Sequence, residues 1–359
     1  MILKKILLSN NFVFLLIIII SIISLIIIFR DNSKLFNSTK SLEKSLTQCQ
    51  EDKRFIKNTA CIKSNLVPLV VSRGVAYTIK FSKENNLPVS YDLKNNIDCH
   101  DYAHLLGSIA GETTKDVGES IDKCGDDCFS GCYHGFFEGI QKNSSVSIQD
   151  YENICLDTVS PGDLQSGCLH AQGHYFMELS RNMLSDGFDK CMKLKTTERN
   201  QKACLSGGFM QAQLLREDKI MTPSTPKMPD PVDYLNFCKK FTGLIQDYCL
   251  QDGGSYIYRF TLDPKTSTNF CIDHVKETDQ EGCLSLVGGF FHRKNPDNYI
   301  QYILDHCRLA KDIFTSSCLE GGINSVYLGG QNIQPLIDSC LSQKILTEQE
   351  CQKLSKINY

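Results

Sequence analysis

The sequence predicts an all-α protein, a disulfide-stapled array of helical hairpins (an α-solenoid or a curved, toroid-like array) behind one N-terminal transmembrane helix. Three observations predict this fold: an uncharged apolar run near the amino terminus, 18 cysteines among 359 residues, and cysteine pairs that return about every 35 residues. The chain is 42% hydrophobic and 22% charged, which is ordinary for a folded protein with a large core. The composition therefore argues against a disordered chain.

The amino-terminal segment has the composition of a membrane anchor. Residues 12–29 are apolar or hydroxyl-bearing and uncharged, and a run of this length can just span a bilayer as a helix. It lacks the small-residue cleavage site of a secretory signal peptide, and the preceding Lys4 and Lys5 favour a cytoplasmic amino terminus. We expect a cytoplasmic segment 1–11, a transmembrane signal anchor 12–29 and, over 30–48, a polar tether or juxtamembrane helix. A cleaved signal would export the body as well.

The cysteine content agrees with an exported body. Exported thiols meet an oxidising compartment whereas cytosolic thiols stay reduced, and an even count of 18 fits complete pairing. We expect a single-pass membrane protein whose residues 49–359 lie outside the cytoplasm, in a periplasm or at a cell surface. The net charge of −3 and the absence of a basic block argue against nucleic acid as a partner. The expected partners are the membrane, through the N-terminal helix, and a protein on a concave face of the array.

Seven cysteine pairs, whose two members lie 11 to 13 positions apart, define the repeat. They are Cys49–Cys61, Cys155–Cys168, Cys191–Cys204, Cys238–Cys249, Cys271–Cys283, Cys307–Cys318 and Cys340–Cys351. The second cysteines, with Cys99 and Cys132 completing the series, follow one another at steps of 33 to 45 residues. We expect each pair to join two antiparallel helices across a turn, adding about 3 kcal/mol of stability.

Local signals place helices around these cysteines. Residues 160–163, 278–281 and 347–350 resemble a capped first turn or a capping box, so each second cysteine should lie in the first turns of a helix. Glycine-rich stretches follow the second cysteines, and their return in register predicts close approach of neighbouring units rather than helix ends. The segment 222–231 contains four prolines and cannot be regular helix, which predicts an exposed insertion or a hinge.

Four cysteines depart from the pair rule: Cys99, Cys124, Cys128 and Cys132. One interpretation is a redox-active or zinc-binding cysteine cluster. The segment from Cys124 to Cys128 is not the C-x-x-C of thiol oxidoreductases, so we favour two structural disulfides. Cys99–Cys128 with Cys124–Cys132 is one such pairing, and the sequence leaves the choice open.

Five of the eight histidines fall in the units between about residues 95 and 185. They are His100, His104, His134, His170 and His174. His134 and His170 share the second position after a cysteine, whereas Glu138 and His174 share the sixth, so each helix would present them on one face. Imidazoles and carboxylates that converge from several helices are typical of metal sites. We expect one metal centre formed by the five histidines.

Oxidised cysteines cannot bind metal, which leaves a nitrogen and oxygen ligand set suited to zinc, iron, copper or manganese. Glu138 and Glu178 would serve as ligand or general base in a metal-dependent oxidoreductase or hydrolase. The alternative is that the second position after the cysteine is merely a polar helix position, because later units carry Ser206, Gln251, Ser285 and Glu320 there. The protein would then be a non-catalytic, disulfide-rich scaffold for a protein or an envelope component.

Overall fold

The computed structural model describes residues 40–49, 55–87, 99–124, 128, 130–143, 152–180, 183–217, 228–294, 299–310, 312–328 and 333–354. The predicted anchor at 12–29 lies outside these ranges. Within them every regular element is helical, which confirms the all-α class for this part of the chain. None of the helices in these ranges is both long and apolar enough to cross a membrane.

The described residues form 18 α-helices of different lengths. They are α1 (40–49), α2 (Phe55–Arg73), α3 (Val75–Glu84), α4 (Cys99–Thr113), α5 (Val117–Asp122), α6 (Gly131–Gln141), α7 (Ile154–Thr158), α8 (Asp163–Leu179), α9 (Leu184–Lys193), α10 (Glu198–Glu217), α11 (Tyr234–Cys238), α12 (Gly243–Thr261), α13 (Pro264–His274), α14 (Glu277–Lys294), α15 (Tyr299–Leu309), α16 (Asp312–Leu328), α17 (Gln334–Ser342) and α18 (Glu348–Leu354). A short 3₁₀ turn, Pro231–Asp233, precedes α11.

Capping residues set where some of these helices begin. The Glu350 backbone N–H donates to Thr347 Oγ1 over 3.3 Å, and the Thr347 N–H donates to the Glu350 carboxylate over 3.0 Å. This reciprocal pair is the capping box that the sequence predicts for α18. The helix start predicted at residues 278–281 is wrong, because α14 begins already at Glu277. Carboxylates in a first turn also stabilise a helix amino terminus. Helix α8 begins at Asp163, the last residue of its predicted start.

All 18 cysteines form disulfides, and the pairs agree with their spacing. The seven predicted pairs are joined with Cα atoms 5.5 to 6.0 Å apart. The other four cysteines form Cys99–Cys128 and Cys124–Cys132. No thiol is therefore left for a redox-active or zinc-binding cysteine cluster.

Contacts divide the chain into two units. The first comprises residues 1–66 and 85–90, and its described part contains α1 and the beginning of α2, joined by Cys49–Cys61. The second comprises residues 67–84 and 91–359 and contains α3 to α18. The histidine positions all belong to this second unit.

Within the second unit, the helices that carry the second cysteines pack on one another in chain order. Helix α4 contacts α6, α6 contacts α8, and the same relation continues through α10, α12, α14, α16 and α18. Helices α9, α13 and α15 each contact the helix to which they are stapled and the one before it. Large side chains such as Phe136, Tyr175 and Phe209 are fully buried in this packing. Hydrophobic burial thus joins each hairpin to its neighbour.

Two features outside the histidine-rich units have structural roles. Residues 228–230 of the proline-rich segment are not helical, and the Tyr256 hydroxyl donates a 2.5 Å hydrogen bond to the Pro229 carbonyl. The ring of His306 is fully buried, where Nδ1 meets the Thr268 hydroxyl and Nε2 lies 3.3 Å from the Leu284 carbonyl oxygen. Burial lowers the pKa of His306 to about 4, so the ring is a neutral packing residue.

Candidate metal centre

The seven predicted site residues lie on three helices that pack in order. They are His100 and His104 on α4, His134 and Glu138 on α6, and His170, His174 and Glu178 on α8. All but His170 line one cleft of about 240 Å³, and the His170 ring centroid lies 5.1 Å from that of His174. The four-residue spacing thus brings the side chains of each helix to a common face.

Two glycines beside the site allow the helix backbones to come together. Gly135 follows His134 on α6 and faces the carbonyl oxygen of His104, where a Cβ atom would overlap that oxygen. Gly207 on α10 faces the carbonyl oxygen of His170 in the same way. Only glycine permits such an approach, and it occurs at the helical turns that carry the histidines. The close packing predicted from the glycines is therefore also what brings the imidazole rings near one another.

Three of the five histidines form a compact group. One ring nitrogen each of His134, His170 and His174 lies within 4.8 Å of the other two. Nε2 of His170 and Nε2 of His174 are 3.3 Å apart. Two ligands of a tetrahedral ion with metal–nitrogen bonds of about 2.0–2.1 Å are also about 3.3 Å apart. The geometry of this pair therefore fits a metal ion between the two nitrogens.

A hydrogen-bonded chain orients the His174 ring. His174 Nδ1 lies 2.9 Å from Gln211 Oε1, and Gln211 Nε2 donates to Glu178 Oε1 over 3.3 Å. Gln141 donates to the other carboxylate oxygen of Glu178. Because the Gln211 amide nitrogen faces a carboxylate, its oxygen faces the ring and accepts the proton of Nδ1. Nε2 of His174 keeps its lone pair, as a metal ligand must.

His170 has a comparable partner, since its Nδ1 lies 3.1 Å from Ser206 Oγ. Neither Ser206 nor Gln211 is predicted as a site residue from the sequence. They lie 36 and 37 residues after the histidines that they contact, which is about the length of one repeat. This spacing could have identified them from the sequence. A residue one unit after a candidate ligand is thus a candidate partner for that ligand.

The three rings are half-buried among other side chains, and this environment favours their neutral form. It lowers the pKa of His170 to about 3, and the nearby His174 and His100 contribute to this decrease. It lowers the pKa of His174 to about 4, although the hydrogen bond with Gln211 opposes the change. The pKa of His134 is well below its ordinary value because of burial and of the four surrounding histidines. Neutral imidazole is the form that binds a metal.

His100 and His104 also lie near His134, on the neighbouring helix α4. Their ring centroids are 5.5 and 6.1 Å from that of His134. Nε2 of His104 is 3.4 Å from Oε1 of Glu138, and burial lowers the pKa of His104 although Asp101 opposes the change. The structure thus separates the five predicted ligands into a group of three and an adjacent pair.

The two predicted catalytic carboxylates differ in environment. The Glu138 side chain is 47% exposed at the mouth of the cleft. Glu178 is half-buried, and burial raises its pKa while the hydrogen bond with Gln141 opposes the change. A carboxyl group with a raised pKa beside a metal position is suited to proton transfer near neutral pH. Glu178 is therefore the better placed general base.

Comparisons of the chain with protein-family models, with curated proteins and with solved structures give no significant match. Two of the three neutral imidazoles, those of His134 and His174, line the cleft, so a metal ion held by the three rings would have further coordination positions open towards it, as catalytic zinc sites do.

Proposed function

We propose that this protein is a membrane-anchored, extracytoplasmic array of helical hairpins that binds a transition-metal ion through His134, His170 and His174. One observation carries the proposal: three ring nitrogens lie within 4.8 Å of one another beside a cleft. The contacts between successive helices support the array. The apolar run 12–29 and 18 oxidised cysteines support an anchor and an oxidising compartment.

The ligand set narrows the choice of metal. All cysteines are oxidised, so no thiolate is offered as a ligand, and a bound ion would be held mainly by imidazole nitrogens. Imidazole suits zinc, iron and copper, which are the candidate ions. With three protein ligands, the remaining coordination positions would hold water or a substrate oxygen.

Such a centre supports a metal-dependent hydrolase or oxidoreductase. A bound ion supplies a Lewis acid and lowers the pKa of water that it binds. On the protein side, Glu178 is held by Gln141 and Gln211 on the wall of the same cleft, where its carboxylate would accept a proton. Glu138 at the mouth would act as a further ligand or hold a polar substrate.

A second role as a scaffold is favoured by the later helices. Among the described residues, the only group of three His, Cys, Asp or Glu side chains close enough to hold a metal ion lies on α6 and α8. Helices α12 to α18 continue the packing and the disulfides without such a group. This part of the array would bind a protein or an envelope component on an exposed face.

Metal analysis of the full-length protein tests the proposal. The protein is purified in detergent without chelators, supplied with zinc, iron or copper, desalted and analysed by mass spectrometry. We expect stoichiometric metal in the wild type and its loss from a variant with His170→Ala and His174→Ala. His274→Ala is the control, because His274 is exposed and lies outside the cluster. A wild-type protein that folds, as judged by circular dichroism, but retains no metal would leave only the scaffold role.

A further inference from the structure

A second hydrogen-bonded chain leads from the site into the core of the array. His170 Nδ1 lies 3.1 Å from Ser206 Oγ on α10. The Ser206 side chain is also hydrogen-bonded to the hydroxyl of Tyr248 on α12. Gly207 permits the close approach of α10 to α8 that places Ser206 against the ring. Three successive helices that carry second cysteines thus contribute one polar side chain each to this chain.

The position of Tyr248 is set by packing that does not involve its hydroxyl. The residue is buried, and its ring centroid lies 5.8 Å from that of Phe209. Phe209 is three residues after Ser206 on α10, so the two residues lie on neighbouring positions of one helix face. Exchange of Tyr248 for phenylalanine would therefore remove the hydroxyl and keep the ring contacts.

A buried carboxylate lies one turn beyond Tyr248. Asp252 is four residues later on α12, and it is buried. The side chains that donate hydrogen bonds to it are those of Gln213, Tyr234 and Ser255. This environment suits an ionised carboxylate, which can only accept. Burial raises the pKa of Tyr248, and the charge of Asp252 adds to this effect, so the phenol keeps its proton.

The direction of the hydrogen bonds decides which nitrogen of His170 can bind a metal. A serine hydroxyl rotates, so Ser206 could donate to Nδ1 or accept from it. The negative charge of Asp252 attracts the phenol proton of Tyr248, which leaves the phenol oxygen as the acceptor for Ser206. Ser206 Oγ then accepts the proton of Nδ1. Nε2 of His170 keeps its lone pair, on the side that faces Nε2 of His174.

We propose that Ser206 and Tyr248 are positioning residues of the metal centre, which hold His170 in the tautomer with its proton on Nδ1. The inference rests on the proposed function, because this tautomer makes the Nε2 lone pair available to the ion. His174 is oriented by a separate chain through Gln211. The metal centre would therefore depend on α12, which contributes none of the three proposed ligands.

The zinc affinity of the full-length protein, measured by competition with a chelator, tests this chain. Tyr248→Phe and Ser206→Ala should each weaken zinc binding by about tenfold or more, as loss of an outer partner typically does. The double variant should bind about as weakly as Ser206→Ala alone, because residues in one hydrogen-bonded chain do not act additively. Tyr256→Phe is the control, since it removes a hydroxyl of the same helix that bonds to the Pro229 carbonyl.

Nitrogen NMR of the metal-free protein, isotope-labelled at its histidine rings, supplies a readout that does not depend on metal. The His170 signals are those absent from His170→Ala. The wild type should show a protonated Nδ1, whereas Tyr248→Phe should show both tautomers. Unchanged zinc affinity in Tyr248→Phe, additive losses in the double variant, or a wild-type ring protonated on Nε2 would overturn the chain while the proposed function stands. No zinc bound by the wild type would refute the proposed function itself.

Discussion

Helix pairs α8–α10 and α14–α16 use the same close contact with different side chains. Gly207 of α10 faces the carbonyl oxygen of His170, and Gly321 of α16 faces the carbonyl oxygen of Ser285. His170 and Ser285 therefore occupy equivalent positions in the two pairs. Serine satisfies the packing at this position, so the imidazole in α8 is not required by the contact between the helices.

The next turn shows the same difference. Helix α8 has His174 four residues after His170, whereas α14 has Gly289 four residues after Ser285. A Cβ atom at Gly289 would have no neighbour within 4 Å among the described residues, so this position in α14 has room that α8 fills with a ring. The two helix pairs thus share one backbone arrangement, and α8 carries candidate metal ligands at positions where α14 carries serine and glycine. Four predictions test this separation of fold and site.

Acid should release the metal, which is the largest expected effect. The pKa values of about 3 for His170 and about 4 for His174 lie below the value of about 6.5 in an unfolded chain. Between these values the unfolded state binds more protons, so the unfolding free energy of the metal-free protein falls as pH decreases from about 6.5. In the folded site, however, the rings of His170 and His174 stay neutral until pH nears 4. Metal should therefore be retained at pH 5.5 and lost near pH 4.

Bound metal is measured by mass spectrometry after desalting at a series of pH values. Circular dichroism on the same samples shows whether the protein is still folded. Release centred near pH 6.5 without unfolding would show that the ligands titrate like exposed histidines. That result would contradict the burial of the site.

Removing the disulfide of α8 or that of α14 should lower the unfolding free energy by a similar amount. Only the change in α8 should also weaken metal binding. Replacing Cys155 and Cys168 by alanine, or Cys271 and Cys283, opens loops of nearly equal length, with separations of 13 and 12 residues. Each change should cost about 3 kcal/mol of unfolding free energy. Only the first should weaken metal binding, because its second cysteine lies on α8. Urea unfolding measures the stability of each variant, and metal analysis measures its bound metal. Equal metal loss in both variants would show that the metal site depends on the packing of α14 as much as on that of α8.

Replacing glycine by alanine should destabilise the protein at Gly207, where the helices are in close contact, but not at Gly289, where there is room for a methyl group. Gly207→Ala would place a Cβ atom against the His170 carbonyl oxygen, so the helices must separate. Overpacking of this kind destabilises by about 1–3 kcal/mol, and zinc affinity should fall with it. Gly289→Ala is the control and should stabilise α14 by up to about 1 kcal/mol, since alanine is the better helix former. Similar effects from both would mean that Gly207 is not at a tight contact.

The sequence predicted the fold where the signal was covalent or periodic. Cysteine spacing identified all seven regular disulfides because a hairpin turn fixes how far apart two facing residues can be. The capping box at Thr347 was also predicted correctly, because its hydrogen bonds are local. The start of α14 was not, since competing carboxylates leave a helix boundary uncertain by a residue or more.

The site was only partly predictable for a related reason. The four-residue spacing identified the histidine-bearing faces, but it could not show that α8 contributes two ligands to the compact group while α4 lies to one side. That division depends on the distances between helices, which are set by contacts such as Gly135 against the His104 carbonyl. Gln211 was missed because its role depends on two side chains of a neighbouring helix.

Gln211 should therefore tune the metal site with the smallest effect on the fold. Gln211→Ala removes the acceptor for His174 Nδ1 and a donor to Glu178. Loss of such an outer partner typically weakens metal binding by about tenfold or more, because the ring is no longer held in the ligating orientation. The control is Gln301→Ala, which removes an exposed glutamine of α15 that bonds only locally to Asp305.

A reciprocal exchange separates orientation from simple packing. Gln211→Glu alone places a second carboxylate beside Glu178, and the two like charges repel. Gln211→Glu combined with Glu178→Gln restores one carboxylate and one amide, and the carboxylate now accepts the Nδ1 proton of His174 directly. Zinc affinity, measured by competition with a chelator, should thus fall in Gln211→Ala and recover in the exchanged pair. If the exchanged pair binds zinc as weakly as Gln211→Ala, the chain from Glu178 to His174 does not orient the ring, and the convergence of the histidines would depend on helix packing alone.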